Sequence, residues 1–301
     1  MRIGVAATPD VAIPTLEWLL SSSHEIICVI SQPDRPAGRG REISPSPVSN
    51  WALMHGVRLL RPESAGDLIG VIDDLDLVIT IGYGVILPKE VLSLPRFGFI
   101  NLHFSLLPAY RGAAPVQRAI ESGDIETGVT VFALDEGMDT GPIYRSRKFT
   151  IAEGSRTKEV LMALADIGPL VIEETLSDIA LNISPIPQTG HTSNASKISK
   201  LDALIDWQLE AEVIVRKIRA FYPAPGAWTK WRGESFKINQ AHAVDFPLAP
   251  GEISVTSDGV FVGSGGPRSV ALVFVVPSGK REMNAQEWAR GANISQGAAF
   301  G

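Results

Sequence analysis

Cysteine is almost absent from the 301-residue sequence, which contains only Cys28. A single thiol cannot form an internal disulfide, so the composition does not indicate an oxidising compartment. Cys28 lies inside the apolar run Ile26–Ile30, where a small hydrophobic residue of a buried strand is the simpler interpretation. We therefore expect a cytoplasmic protein.

Long apolar runs are absent as well. No stretch reaches the roughly 20 consecutive apolar residues that a membrane-spanning helix needs. The apolar start of the chain, Ile3–Ala7, is too short for a signal peptide and is better interpreted as a first buried strand. The sequence therefore predicts no membrane partner.

Several catalytic signatures are missing. The first predicted strand ends in Ala6-Ala7-Thr8-Pro9 rather than G-x-G-x-x-G, which disfavours dinucleotide binding at that turn. Neither a Walker loop nor a G-x-S-x-G elbow occurs. The five histidines are scattered and the cysteine has no C-x-x-C partner, so we expect no metal site. Ser105, close to His103, leaves a hydrolase-type pair open.

Positive charge is scarce overall, because 27 basic residues face 33 acidic ones and the formal net charge is -6. A nucleic acid could therefore bind only where basic residues are concentrated locally. One such cluster, with tryptophans between its members, consists of Arg216, Lys217, Arg219, Lys230, Arg232 and Lys237. Acidic neighbours such as Glu212 make ordinary solvated charges an equally good interpretation.

The first two-thirds of the chain alternate short apolar runs with amphipathic stretches. The apolar runs predict strands at Arg2–Ala7, Glu25–Ile30, Leu75–Thr80, Phe99–His103 and Val129–Ala133. The amphipathic stretches predict helices near Pro9–Leu20, Val48–His55, Pro115–Ser122 and Thr157–Leu181. Strands alternating with helices indicate an α/β domain with a Rossmann-like, mostly parallel sheet.

A change of pattern near residue 183 predicts a second, smaller domain. Residues 183–204 are rich in Ser, Pro, Thr and Asn, as a linker would be. Beyond them, one helix is followed by short, closely spaced strand patterns, which favour a small β-barrel with an oligonucleotide-binding-like (OB-like) fold. We predict a catalytic domain over 1–182, a linker over 183–204 and a barrel domain over 205–301.

Polar residues at the end of one predicted strand are the first candidates for chemistry. Asn101 and His103 project to the same face of Phe99–His103, because side chains alternate along a strand. They lie at its carboxyl end, where open α/β sheets bind ligands. Asn101 could donate to an oxygen that gains negative charge, and His103 could move a proton near neutral pH. A mere strand-end cap remains an alternative.

A carboxylate-rich loop, residues 134–142, follows the next predicted strand. One of its carboxylates could accept from His103, although an ordinary acidic turn explains the loop equally well. We favour Asp139 over Asp135, because Asp139 lies between Gly137 and Gly141, where backbone freedom suits a tight functional loop.

A long loop over residues 31–47 carries Arg35, Arg39 and Arg41 among glycines and prolines. Long structureless loops inside compact domains tend to be functional, and arginines on such a loop could bind phosphates. A solvated insertion is the alternative.

Longer motifs resemble the folate-dependent formyltransferases, and especially the branch of that family whose acceptor is initiator methionyl-tRNA. They are Asn101-Leu102-His103, Ser105-Leu106-Leu107-Pro108, Tyr110–Pro115, Gln32–Gly40, Gly82-Tyr83-Gly84, Met138–Gly141 and Ile205-Asp206-Trp207. The resemblance extends over nearly the whole chain.

The resemblance implies roles for particular residues. It makes Asn101, His103 and Asp139 the catalytic residues. Folate-binding residues would be Gly82, Tyr83, Gly84, Ser105, Leu106, Leu107 and Pro108, and tRNA-binding residues would be Arg35, Arg39 and Arg41. It further implies 10-formyltetrahydrofolate as formyl donor, no metal, a tRNA-binding C-terminal barrel and a monomer.

Three other functions remain open on the sequence. A formyltransferase acting on a sugar nucleotide or a purine-precursor amine would share the same catalytic residues, so only the Arg39 loop and the C-terminal domain discriminate. An inactive tRNA-binding module would not need Asn101, His103 and Asp139. A folate hydrolase would release formate without an amine acceptor.

Overall fold

The computed structural model describes residues 1–37 and 42–301. These residues form two compact units. The first consists of Met1–Pro115, Glu126–Thr150 and Leu161–Ser196, and the second of Val116–Ile125, Ile151–Val160 and Lys197–Gly301.

The first unit is built on a seven-stranded sheet. Its strands are β1 (Arg2–Ala7), β2 (Glu25–Ile30), β5 (Leu59–Leu60), β6 (Leu77–Ile81), β7 (Phe99–His103), β8 (Glu126–Ala133) and β9 (Ile143–Thr150). A separate hairpin pairs β3 (Arg35–Ala37) with β4 (Glu42–Ser44). The helices that begin within residues 1–180 are α1 (Ile13–Ser21), α2 (Pro47–Met54), α3 (Lys89–Leu92), α4 (Pro115–Ser122) and α5 (Thr157–Ala180).

The order of the sheet is β5-β2-β1-β6-β7-β8-β9, and the strands are parallel from β5 to β7. β8 and β9 run antiparallel to their neighbours. The central strands are buried because they are almost purely apolar; every residue of β6 is buried. The predicted Rossmann-like, mostly parallel sheet is confirmed.

Strand β9 was not predicted from the sequence. Its residues include Arg145, Arg147 and Lys148, and most of the strand is exposed at the edge of the sheet. An exposed edge strand carries few apolar residues, so it lacks the apolar run that predicted β1, β2, β6, β7 and β8. The short strands β3, β4 and β5 were not predicted either.

Cys28 lies in β2 with its side chain buried. Burial raises the pKa of its thiol to about 11. The thiol is therefore protonated and unreactive near neutral pH, as its interpretation as a small core residue requires.

The second unit contains an antiparallel sheet that curls into a half-barrel. Its strands are β10 (Trp228–Trp231), β11 (Glu234–Val244), β12 (Ile253–Val255), β13 (Val260–Gly263), β14 (Ser269–Pro277) and β15 (Met283–Asn284). Helices α6 (Ala211–Ala220) and α7 (Ala285–Ala292) cover its apolar core. The prediction of a smaller barrel-like C-terminal domain is confirmed.

The segment predicted as a linker contributes to the first unit. Ile186 pairs with Ile143 at the start of β9, and Asn194 pairs with Arg111. Among the residues described, no helix has both the length and the apolar character to cross a membrane.

Candidate active site

One cavity of about 470 Å³ opens in the first unit. It is formed by the loop after β6, the end of β7 with the loop that follows, and the loop after β8. Its lining consists of Thr80, Gly82, Tyr83, Gly84, Val85, Ile86, Leu87, Leu92, Asn101, Leu102, His103, Phe104, Gly112, Ala113, Pro115, Leu134, Asp135, Gly137, Met138 and Asp139. The three residues predicted to be catalytic thus face one space.

Asn101 is oriented by the neighbouring strand. Thr80 of β6 is its register partner, and the Thr80 hydroxyl donates to Asn101 Oδ1 at 2.8 Å. Because this bond occupies the amide oxygen, the amide NH₂ remains as a donor toward the cavity. Asn101 therefore presents the group that an oxyanion would need.

His103 is nearly buried, with 7% of its side chain exposed. Its Nε2 lies 3.0 Å from the backbone oxygen of Tyr110. A carbonyl oxygen can only accept, so Nε2 carries a hydrogen. In the neutral imidazole, Nδ1 is consequently the nitrogen that can take up a proton.

Asp139 approaches His103 from the loop after β8. Its Oδ2 lies 3.8 Å from His103 Nδ1, beyond hydrogen-bond distance, and accepts instead from the Gly112 N–H at 2.7 Å. The carboxylate is thus near the imidazole without bonding to it. The sequence suggested that a carboxylate accepts a hydrogen bond from His103, whereas in the structure the Tyr110 carbonyl accepts it.

Asp135, the other aspartate of this loop, bonds within the loop itself. Its Oδ1 accepts from the Gly137 N–H at 3.1 Å and from the Thr140 hydroxyl at 2.7 Å. These contacts use the carboxylate to shape the loop itself. The geometry agrees with the choice of Asp139 as the carboxylate beside His103.

The loop after β8 does not reach His103 simply by following its strand. Since β8 is antiparallel to β7, Ala133 at its end pairs with Ile100 near the beginning of β7. The loop must therefore turn back along the sheet. Gly141 makes this possible, because a Cβ atom there would collide with the Ala133 carbonyl oxygen.

Among the predicted folate-binding residues, Gly82, Tyr83 and Gly84 line the cavity. Both glycines have positive φ angles, +57° and +74°. The Gln32 side chain anchors this loop by donating to the Tyr83 carbonyl at 2.6 Å.

The other predicted folate-binding residues, Ser105–Pro108, are not among the residues that line the cavity. The Ser105 hydroxyl is fully buried and donates to the Ala109 carbonyl at 2.6 Å. His103 Nε2 points to Tyr110, so the two side chains do not form the hydrolase-type pair that the sequence left open.

Of the predicted tRNA-binding arginines, Arg35 is exposed at the base of the β3–β4 hairpin. Arg39 and Arg41 lie outside the described residues. The base of the hairpin is held by the Asp34–Arg61 ion pair at 3.1 Å and by a hydrogen bond between the Ser31 and Ser46 hydroxyls at 2.8 Å.

Most of the basic cluster proposed in the C-terminal part is used structurally. Arg216, Lys217, Arg219, Arg232 and Lys237 each donate to a backbone carbonyl within the second unit. These contacts favour a structural interpretation of the cluster over a continuous surface for RNA.

The structure adds four groups that the sequence did not single out. They are the Thr80 hydroxyl, the Tyr110 carbonyl, the Gly112 N–H and the side chain of Gln188. Thr80 could have been noticed, since it is the one polar residue in β6. The other three groups have no signal in the sequence. Two are backbone groups, which every residue has, and Gln188 is 49 residues from Asp139.

Within the described part of the chain, no three histidine, cysteine or acidic side chains are grouped so that they could hold a metal ion.

Comparison with family models gives two matches. Residues 1–176 match the formyl transferase family, and residues 197–293 match the formyl transferase C-terminal domain.

Curated relatives match along the full chain. The sequence is 42% identical to the methionyl-tRNA formyltransferase of Corynebacterium efficiens, covering 100% of both chains. It is 41% identical to the enzyme of that name from Thermobifida fusca, covering 100% of this chain and 99% of the relative.

Solved structures share the fold at lower sequence identity. The sugar 3N-formyl transferase WlaRD is 18% identical with a TM-score of 0.69, covering 93% of this chain and 99% of that one. Methionyl-tRNA formyltransferase from Clostridium thermocellum is 16% identical with a TM-score of 0.58, covering 91% and 99%.

Proposed function

The chain belongs to the formyl transferase family, and from this premise we propose that it transfers a formyl group from 10-formyltetrahydrofolate to the α-amino group of initiator methionyl-tRNA. The product would be the N-formylmethionyl-tRNA that starts translation. The observation that carries the proposal is the convergence of Asn101, His103 and Asp139 on one cavity.

Similarity over the whole length supports this acceptor. The matches to methionyl-tRNA formyltransferases at 41–42% identity include the C-terminal domain as well as the catalytic one. A sugar nucleotide or a purine-precursor amine is the alternative acceptor, since the catalytic residues alone do not distinguish them. The solved structures do not discriminate between these acceptors, because the sugar transferase and the methionyl-tRNA formyltransferase share the fold at 18% and 16% identity.

The reaction exchanges one C–N bond for another. The amine nitrogen bonds to the formyl carbon, and the bond from that carbon to N10 of the folate then breaks. One proton leaves the amine and one reaches the departing nitrogen, so no net oxidation or hydrolysis occurs. The free α-amino group has a pKa near 7.7, which leaves a useful neutral fraction at pH 7.

Each of the three residues has a role in this exchange. The Asn101 NH₂ group donates to the oxygen that becomes negative as the amine attacks. His103 Nδ1 takes the proton from the amine and returns it to the departing nitrogen. The Asp139 carboxylate, 3.8 Å from Nδ1, stabilises the imidazolium while it carries that proton.

Binding of the two substrates involves different segments. The Gly82–Gly84 loop, which lines the cavity, would bind the folate together with Ser105–Pro108 on the loop after β7. Arg35, Arg39 and Arg41 would engage the phosphates of the acceptor end, and the domain over 205–301 would hold the rest of the tRNA. We further propose a monomer that works in the cytoplasm and requires no metal.

An acceptor screen tests the proposal. Purified protein and 10-formyltetrahydrofolate would be incubated with methionyl-tRNA, free methionine, a dTDP-amino sugar or a purine-precursor amine, with formylated product measured. We expect transfer to methionyl-tRNA alone. Preferred formylation of the sugar or the purine precursor, or release of formate without an acceptor, would refute the assignment.

Two variants link that activity to the cavity. Asn101→Ala and His103→Ala should each lower kcat/KM by roughly 100-fold or more, while circular dichroism shows an intact fold. Wild-type turnover in either variant would remove that residue from the mechanism.

A further inference from the structure

Gln188 lies in the Ser- and Pro-rich segment that the sequence marks as a linker, yet it belongs to the first compact unit. Its neighbours on both sides are fixed there. Ile186 exchanges two backbone hydrogen bonds with Ile143, at 2.7 and 2.8 Å. Farther on, the Arg111 N–H donates to the Ser193 carbonyl at 2.9 Å. The segment is thus attached on each side of Gln188.

Both the nitrogen and the oxygen of the Gln188 side-chain amide form hydrogen bonds. Nε2 donates to the backbone carbonyls of Asp139, at 2.9 Å, and Gly141, at 2.8 Å. Oε1 accepts from Arg111, from Nη2 at 2.6 Å and from Nε at 3.2 Å. A carboxamide has two N–H donors and an oxygen with two lone pairs, so this arrangement uses its full capacity.

These contacts join the two loops on which the catalytic carboxylate depends. One loop carries Asp139, and the other carries Arg111 followed by Gly112, whose N–H holds the Asp139 carboxylate at 2.7 Å. Gln188 therefore ties the backbone of Asp139 to the residue next to its hydrogen-bond donor.

The backbone of Asp139 needs such support. Its φ angle is +55°, in the left-handed region that a residue with a Cβ atom adopts only at a cost. A conformation of this kind persists when surrounding contacts hold it. The two bonds from Gln188 act on the carbonyls of Asp139 and Gly141, one at this residue and one just beyond it.

We propose that Gln188 is a positioning residue for formyl transfer, holding Asp139 at its working distance from His103 without touching the reacting atoms. This rests on the proposed function. It assigns a role in catalysis to a segment outside the predicted catalytic domain.

Gln188→Glu is the sharpest test, because glutamate has the same shape and keeps an oxygen for Arg111 but cannot donate to the two carbonyls when ionised. We expect kcat to fall roughly 10- to 100-fold, since small displacements of a catalytic group have effects of that size. KM for folate and for methionyl-tRNA should each change less than about threefold, because Gln188 is not among the residues that line the cavity. Unchanged kcat would overturn the proposal.

Gln286→Glu is the matched control, because Gln286 also donates to a carbonyl, that of Ser257, in the second unit. It should keep wild-type kcat. If wild-type protein and this control both lack formyl transfer, the proposed function has failed. If both are active and Gln188→Glu equals them, only the role of Gln188 has failed.

A double-mutant cycle separates positioning from a general loss of structure, and Gln188→Ala serves in it if Gln188→Glu does not fold. In an Asp139→Asn background, loss of Gln188 should lower kcat by less than about twofold further, because its effect passes through Asp139. If the fold-loss of kcat in the double variant equals the product of the two single-variant losses, the two residues act independently and the proposal is overturned.

Discussion

At the scale of single residues, the site is set by neighbours that fix which atom faces the cavity. The Thr80 hydroxyl engages the amide oxygen of Asn101, and the Tyr110 carbonyl engages Nε2 of His103. Each contact leaves the chemically useful atom available, namely the Asn101 NH₂ group and His103 Nδ1. Residue types alone do not determine these orientations, because an amide or an imidazole can be turned over with little change of shape.

Thr80→Val tests the first of these contacts. Valine has a similar shape without the hydroxyl, so Asn101 loses the bond that fixes its amide. We expect kcat/KM for formyl transfer to fall about tenfold, the equivalent of one ordinary hydrogen bond. Thr80→Ser keeps the hydroxyl and should remain within about threefold of the wild type. Equal activity of the valine variant and the wild type would show that Thr80 does not orient Asn101.

At the scale of elements, the antiparallel pairing of β8 with β7 determines how the Asp139 carboxylate reaches the His103 imidazole. Asn101 and His103 share one strand, whereas Asp139 comes from a loop that doubles back over an antiparallel neighbour. Close passage of that loop along the Ala133 carbonyl depends on the missing side chain of Gly141.

Gly141→Ala should displace this loop. The added methyl group would collide with the Ala133 carbonyl oxygen, a backbone atom that cannot rotate away. We expect a loss of about 1–3 kcal/mol in unfolding free energy and at least a tenfold lower kcat. Gly291→Ala is the control, because an added Cβ there meets nothing within 4 Å in helix α7. That variant should be as stable as the wild type or slightly more so.

A second element-scale feature is the aromatic cluster that closes the half-barrel core. Phe300, 5% exposed, stacks on Trp207 with ring centroids 5.6 Å apart and on Trp288 at 5.9 Å. The backbone holds it in place, since the Phe300 N–H donates to the Gly251 carbonyl at 2.9 Å. The final residues are thus part of the core of the second unit.

Phe300→Ala should destabilise that unit by about 3–5 kcal/mol, because it leaves a large cavity among aromatic rings. Urea unfolding followed by tryptophan fluorescence measures this directly, since Trp207 and Trp288 adjoin the cavity. Phe274→Ala makes the same change at a ring that is 38% exposed, and should cost less than half as much. Equal costs for both variants would mean that Phe300 does not support the core.

At the scale of the whole molecule, net charge is the main constraint on the proposed acceptor. With a formal charge of -6 the protein does not attract RNA through its overall field, so a few positioned cations must do so. Much of the basic cluster near α6 is bonded to backbone carbonyls, which leaves the sequence segment with Arg35, Arg39 and Arg41 as the stronger candidate.

Arg39→Ala tests that candidate. We expect KM for methionyl-tRNA to rise several-fold, and the slope of log KM against log salt concentration to fall by about one, as for the loss of one phosphate contact. KM for the folate should not change. Arg2→Ala removes the same charge at the amino end of β1, where Arg2 pairs with Asp74 at 2.5 Å, and should behave as wild type. Identical salt slopes for the two variants would exclude a phosphate contact at Arg39.

The features predicted correctly from the sequence are those that a short stretch of residues indicates by itself. Strands β1, β2 and β7 were predicted with the bounds that the structure has, because buried parallel strands are continuous apolar runs. The placement of Asn101 and His103 on one face of β7 was predicted from the alternation of side chains along a strand. In contrast, β9 was missed because an exposed edge strand has no apolar run to mark it.

The sequence by itself determined the class of fold, the candidate chemistry and the family resemblance, since each is written in residues close together along the chain. Only the tertiary structure decided which atom of Asn101 and His103 is available, how Asp139 arrives, and that Gln188 bonds to the loops carrying Asp139 and Arg111. Gln188 lies 49 residues from Asp139 and 77 from Arg111, so their contacts exist only once the chain has folded. Such hydrogen bonds, several of them to backbone atoms, depend on distance in space and leave no pattern in the order of side chains.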